Sequence, residues 1–150
     1  MKRYDSVLVA KYMLALAHEK RLALNVTKVQ KLLYILYGYF IARYGHKIIT
    51  EEPKAWPYGP VFPKTRKQVD YTNILPLSSG EFSEIKEDRE LTEVLDRVIQ
   101  HYASFSASEL SEWSHKPGGP WDKTTKQQGF DWSHPIPDEY IAEYFSNVTI

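Results

Sequence analysis

The sequence predicts an α+β fold that is mainly helical, with about six or seven helices and a small β element around residues 47–58. A second extended piece at 82–85 reads equally as a short strand or a loop. Two observations carry this. Apolar residues recur at spacings of three and four over residues 27–44 and 88–102, the signature of amphipathic helices. Pro53, Pro57, Gly59, Pro60 and Pro63 then interrupt the chain between them, leaving room only for short strands and turns. At 150 residues the chain is most simply one domain, spanning 1–150.

The elements follow in order. Asp5 or Ser6 can cap a first helix reaching about His18, and its apolar residues cover much of its circumference. Residues 19–25 connect to the strongest helix, Thr27–Tyr44. Thr27 and Gln30 have capping-box spacing, and Gly45 sits where a left-handed C-cap belongs. Gly38 interrupts this helix at a cost of roughly 1 kcal/mol against alanine, which suggests close approach of another backbone. Lys47–Thr50 and Lys54–Tyr58 read as extended pieces of a small hairpin. A short helix from Pro63 to Val69 presents Lys64, Arg66 and Lys67. Residues 71–80 read as a loop, and Asp88–Tyr102 as a helix with a buried stripe from Leu91 to Tyr102. Ser106 and Glu109 repeat the capping-box spacing for a helix ending near His115. Pro120 opens the next helix and Gly129 closes it. Pro137 opens the last, with Tyr140, Ile141, Tyr144 and Phe145 on one side.

Composition narrows the function classes. Nineteen lysines and arginines balance nineteen aspartates and glutamates, which argues against a broad nucleic-acid or membrane-surface role. There is no cysteine, so disulfides, thiolate metal sites and cysteine nucleophiles are excluded. Asp5, Lys11, His18 and Glu19 break up the N-terminal apolar segment, so neither a signal peptide nor a membrane span is expected, and a cytoplasmic location is. No nucleophile elbow, phosphate loop, dinucleotide fingerprint or zinc-protease motif occurs. Neither a metal nor another cofactor is expected. His115 and His134 flank a tryptophan-rich segment and could meet in space; the plainer reading is hydrogen-bonding histidines in loops. The acidic residues between Glu81 and Glu93 fit a solvated helix entry better than a catalytic cluster. Trp56, Tyr58, Trp113, Trp121 and Trp132 lie in or beside turns, where rings serve either to lock the turns or to recognise protein.

The order of residues is more specific. Lys28-Val-Gln-Lys31-Leu32-Leu-Tyr34 is followed by Gly45, then by Lys54-Ala-Trp56-Pro57-Tyr58-Gly59-Pro60-Val61 and Pro63. Later come Ser106-Ala-Ser-Glu-Leu110, His115 and Pro120-Trp121, and a terminal helix with Ile141, Tyr144 and Phe145. This pattern resembles the Panacea antitoxin-domain family, also described as SocA-like or phage-associated GepA-like proteins, over about Val7–Phe145. One mild departure is Ser114, where the family commonly has threonine before the histidine. Some members also carry a helix-turn-helix unit, for which this chain has no room.

The resemblance implies a bacterial or phage antitoxin that neutralises a cognate protein toxin by direct contact, without catalysis. Two alternatives stand beside it: a protease adaptor that delivers a toxin to a AAA+ protease, and a hydrolase using His115 and His134. Under the first reading, Lys31, Leu32, Tyr34, Trp56, Pro57, Tyr58, Gly59, Pro60, Leu110, His115, Pro120 and Trp121 are scaffold. Partner contacts are expected beside them, on the exposed side of the first helix, the tyrosine-bearing side of the central one and two loops. The candidates are Tyr12, Tyr37, Tyr39, Lys64, Arg66, Tyr71, Phe130 and Trp132.

Overall fold

A computed structural model describes all of residues 1–150. Eight α-helices and one two-stranded antiparallel sheet follow in the order α1 (Ser6–Glu19), α2 (Val26–Tyr44), β1 (Lys54–Trp56), β2 (Gly59–Val61), α3 (Pro63–Gln68), α4 (Ser83–Glu87), α5 (Arg89–Tyr102), α6 (Ala107–Ser114), α7 (Pro120–Thr125) and α8 (Asp138–Phe145). The helix count exceeds the expected six or seven by the five-residue α4. That helix is preceded by a 3-10 turn at Gly80–Phe82. Residues 82–85 are therefore neither strand nor loop, because Phe82 and Ile85 lie one helical turn apart and both enter the core.

The central helix is buried all round from Val29 to Gly38. Helices α1, α5, α6 and α8 pack about it, which is why its apolar positions exceed a single stripe. One contiguous core of 35 buried residues results. Capping departs from expectation at the start of α2. Asn25 is the N-cap and accepts from the Lys28 amide at 2.9 Å, so Thr27 is already inside the helix and Gln30 is free for another role. At the other end Gly45 takes φ +61° as expected. The Ser106–Glu109 capping box forms in full. Helix α7 stops at Thr125, before Gly129, because its short run is closed at Lys126.

Gly38 admits a side chain and not a second backbone. The ring of Phe145 from α8 lies where a Cβ would be, 2.3 Å from it. Tyr34 meets the same ring edge-on at 5.2 Å. Tyr37 reaches α8 through its hydroxyl, which donates to Asp138 at 2.7 Å.

The β element also differs in detail. Lys47–Thr50 does not join the hairpin; it runs beside the N-terminus, where Tyr4 pairs with Ile49 in a single parallel bridge. The hairpin is 54–61, with Lys54 opposite Val61 and Trp56 opposite Gly59. The outer edge of β1 is closed by residues 134–136: Ala55 donates to the His134 carbonyl and Ile136 donates to the Pro53 carbonyl, each at 2.9 Å. Neither edge of β1 is thus left to pair with another chain.

The Gly38–Phe145 contact is testable by a double-mutant cycle. Gly38→Ala is expected to destabilise the fold by about 1–3 kcal/mol through overpacking. Adding Phe145→Leu, which withdraws the ring, is expected to recover part of that loss, so that the two changes are not additive in urea unfolding.

Candidate functional site

The hairpin turn is the focus of four separate stretches of sequence. Pro57 and Tyr58 form its two-residue loop. Two-residue hairpin loops usually need positive φ within the loop. Here neither loop residue has it, and Gly59 supplies the reversal one position later at φ +108°. A Cβ on Gly59 would lie 2.8 Å from Ser114 Oγ and 2.9 Å from Lys31 Nζ, so the position excludes side chains on two counts.

The loop's backbone groups are turned inward and each meets a side chain. Trp121 Nε1 donates to the Trp56 carbonyl at 2.8 Å, and His115 Nε2 donates to the Pro57 carbonyl at 3.1 Å. Lys31 Nζ donates to the carbonyls of Tyr58 at 2.9 Å and Pro60 at 3.2 Å. Gln30 Oε1 accepts from the Phe62 amide at 2.7 Å. Four side chains from α2, the end of α6 and α7 thus hold five backbone groups of residues 56–62. Unpaired, such buried groups would cost about 1–3 kcal/mol each.

The remaining motif residues support these four. Leu32 and Tyr34 are buried in the core beside Lys31, and Leu110 anchors α6 there. Pro120 is buried at the first turn of α7, and its carbonyl accepts from Thr124 Oγ1 at 2.7 Å, which fixes the helix that carries Trp121. The motif therefore builds a clamped turn. Only Pro57 and Tyr58 are exposed in it, and Tyr58 is 70% accessible.

Lys31 is unusual, being 2% exposed. Burial, and next the charge of Arg66, lower its ammonium from the ordinary 10.5 to about 8. No carboxylate offsets it; both its hydrogen-bond partners are neutral carbonyls.

Beside the clamp runs a chain of rings. His115 lies 4.2 Å from Trp121, Trp121 stacks on Trp132 at 6.3 Å, and Trp132 meets Phe130 edge-on at 5.0 Å. His134 follows Phe130 at 6.3 Å. The two histidines thus stand at opposite ends of a row of three rings and do not converge. His115 is also committed on both nitrogens, since Nδ1 lies 2.6 Å from the Ser111 carbonyl. Trp132 is 48% exposed and Phe130 half-buried, so this row opens to solvent. On the other side of His115 an open apolar groove of about 560 Å³ is lined by Tyr102, Phe105, Leu110, Trp113 and Pro117, with Glu109, Glu112 and Lys116 among its polar lining.

The other candidate partner residues divide. Tyr12 and Tyr37 are in the core, Tyr12 edge-on against Phe82 at 5.3 Å, because α1 and α2 are enclosed by their neighbours. Helix α1 leaves exposed only its last residues, His18 and Glu19. Tyr71 points inward, and burial pushes its hydroxyl up to about 12. Tyr39 is half-buried under Arg43 and Arg97, whose guanidinium carbons lie 5.9 and 5.5 Å from its ring centre. Lys64 is exposed and paired with Asp5 at 2.7 Å. Arg66 is exposed over the Tyr58 ring at 6.0 Å. Of the groove residues, Trp113 is among the rings expected to lock a turn or recognise protein, whereas Phe105 and Pro117 are not anticipated as a surface. The apolar Phe105 directly before the Ser106 cap was the available signal, since a residue there need not face the core.

The acidic stretch 81–93 gathers no set of three or more metal-ligating side chains. No helix is long and apolar enough to cross a membrane.

Comparison with known proteins agrees with this picture. No solved structure matches the chain. A curated relative, Antitoxin SocA of Caulobacter vibrioides (strain NA1000 / CB15N), is 28% identical over 129 residues, covering 79% of this chain and 69% of the relative. Residues 29–122 match the family described as "Antitoxin SocA-like, Panacea domain". They take in Lys31, the hairpin, Leu110, His115 and Trp121, so the clamp falls inside the matched region.

Lys31 gives a pH signature. Folded Lys31 loses its proton near pH 8, whereas the unfolded chain holds it to about 10.5. Between these values the unfolded state binds more protons, so stability rises with pH. Relative to Lys31→Met, the wild-type chain is expected to gain at most roughly 3 kcal/mol across this window and to be flat below it. Urea unfolding of both proteins below, within and above the window measures this, and the buried tyrosines, common to both, cancel in the difference. Parallel curves would contradict it. With its residues 29–122 matched, the chain belongs to the antitoxin SocA-like, Panacea-domain family.

Proposed function

We propose that this chain is the antitoxin of a toxin–antitoxin pair and that it neutralises a protein toxin by direct binding, without catalysis. The observation that carries the proposal is the way the motif residues are spent. Trp121, His115, Lys31 and Gln30 are all used in holding a turn. What the turn and its neighbours offer to solvent is aromatic: Tyr58, Trp132 and Phe105 are the large apolar side chains exposed around it. Rings of this kind on a fixed backbone give contact area at little entropy cost and are the usual anchors of protein interfaces. Family membership and the name of the Caulobacter relative support the antitoxin role. The partner is taken to be the product of an adjacent gene, met in the cytoplasm, and 1–150 to act as one domain.

Co-expression tests this. The neighbouring gene is induced in a bacterial host with and without this chain, and growth is followed. Rescue together with co-purification supports direct neutralisation. Rescue that vanishes in a host lacking its AAA+ proteases would replace it with delivery for degradation. A harmless neighbour would remove the antitoxin reading for this member. Given rescue, Trp132→Ala and Phe105→Asp are expected to weaken binding by at least about tenfold each, a typical loss for an interface ring, while costing only about 1 kcal/mol of stability because each ring is half-buried.

A further inference from the structure

A recess of about 260 Å³ lies between α2, the hairpin and α3, lined by Thr27, Gln30, Lys31, Trp56, Tyr58, Val61 and Arg66. Its polar groups are donors in excess. Lys31 Nζ gives two of its three protons to backbone carbonyls and has one left. Gln30 is 3% exposed, and its orientation is fixed because Oε1 must face the Phe62 amide. Its Nε2 is consequently a buried donor with no partner. Arg66 forms no ion pair with any carboxylate and stands over the Tyr58 ring at the rim. A buried amide donor normally finds an acceptor, and two cations side by side without an anion repel. Both tensions are relieved by one ligand.

We infer that this recess is a carboxylate socket, in which Lys31, Gln30 Nε2 and Arg66 take the side-chain carboxylate of an aspartate or glutamate on the bound protein. The inference rests on the partner-binding reading. A carboxylate fits the donor set: two oxygens in a plane can accept from the guanidinium fork at the rim and from the ammonium and amide below it. An anion there also offsets the burial of Lys31 and, next, the charge of Arg66, which together lower its ammonium to about 8.

The test uses small probes and the intact chain, so it does not depend on any toxin. The ¹⁵N-labelled protein is titrated with a capped aspartate, a capped asparagine and inorganic phosphate, following the Gln30 side-chain amide by NMR. The expected result is a saturable shift of that amide pair with the aspartate and none with the asparagine. Arg66→Gln, an exposed change that preserves the fold, should weaken the aspartate about tenfold, the worth of one charge-assisted hydrogen bond. No shift at Gln30, an equal response to asparagine, or an unchanged affinity in Arg66→Gln would overturn the socket. Tighter binding of phosphate than of aspartate would overturn the carboxylate assignment. Failure here leaves the growth rescue untouched, and failure of the rescue leaves this titration valid.

Discussion

The structure depends on a lysine ammonium set under a turn. Lys31 sits on the most enclosed helix, one residue before the apolar run from Leu32, and its charge is pointed at the carbonyls of Tyr58 and Pro60. Taking a cation out of water costs several kcal/mol unless its protons are satisfied. The hairpin satisfies two of the three protons, and Gly59, at φ +108°, turns the backbone so that these carbonyls face inward. The lysine and the turn therefore require each other. Trp121 and His115 complete the arrangement from α7 and from the end of α6, so that segments more than fifty residues apart in sequence meet on one loop.

Most of the motif's polar side chains are thus spent on holding the backbone of this turn. A surface that meets a partner can vary if the backbone beneath it does not move, and a clamp of side-chain-to-carbonyl bonds fixes backbone while leaving the outward side chains unconstrained. Tyr58, Trp132 and Phe105 occupy that outward layer. Their neighbours include both the row of rings and the donor-rich recess.

Much of this was legible in the chain. Periodicity located the long helices because burial repeats with the helix turn, and the capping box at Ser106–Glu109 needed no tertiary help. Periodicity failed where burial is complete. Over most of α1 and over Val29–Gly38 of α2 every side is covered, so no stripe distinguishes the surface, and Tyr12 and Tyr37 read as available when they are core. The Thr27–Gln30 spacing was present, but Asn25 won the cap and Gln30 was taken by the Phe62 amide, a contact 32 residues away. Gly38 does mark a close approach, but of the Phe145 ring and not of the second backbone that a helical glycine suggests. The histidines read as a possible pair because they flank the tryptophans; the row of rings between them keeps them apart. The motif order pointed to the family, and its division into clamp and surface required the side-chain directions.

Hydrogen exchange measures the central claim most directly, once a partner has been co-purified. Amide exchange is compared for the free chain and the complex by mass spectrometry. The account predicts that the Phe62 amide, held directly by Gln30, and the other hairpin amides, in a turn kept closed by the carbonyl bonds of Lys31, Trp121 and His115, already exchange slowly in the free chain, and that binding adds protection at Tyr58 and at 130–134. Fast exchange at 56–62 in the free chain, or new protection confined to a face remote from the hairpin, would contradict it.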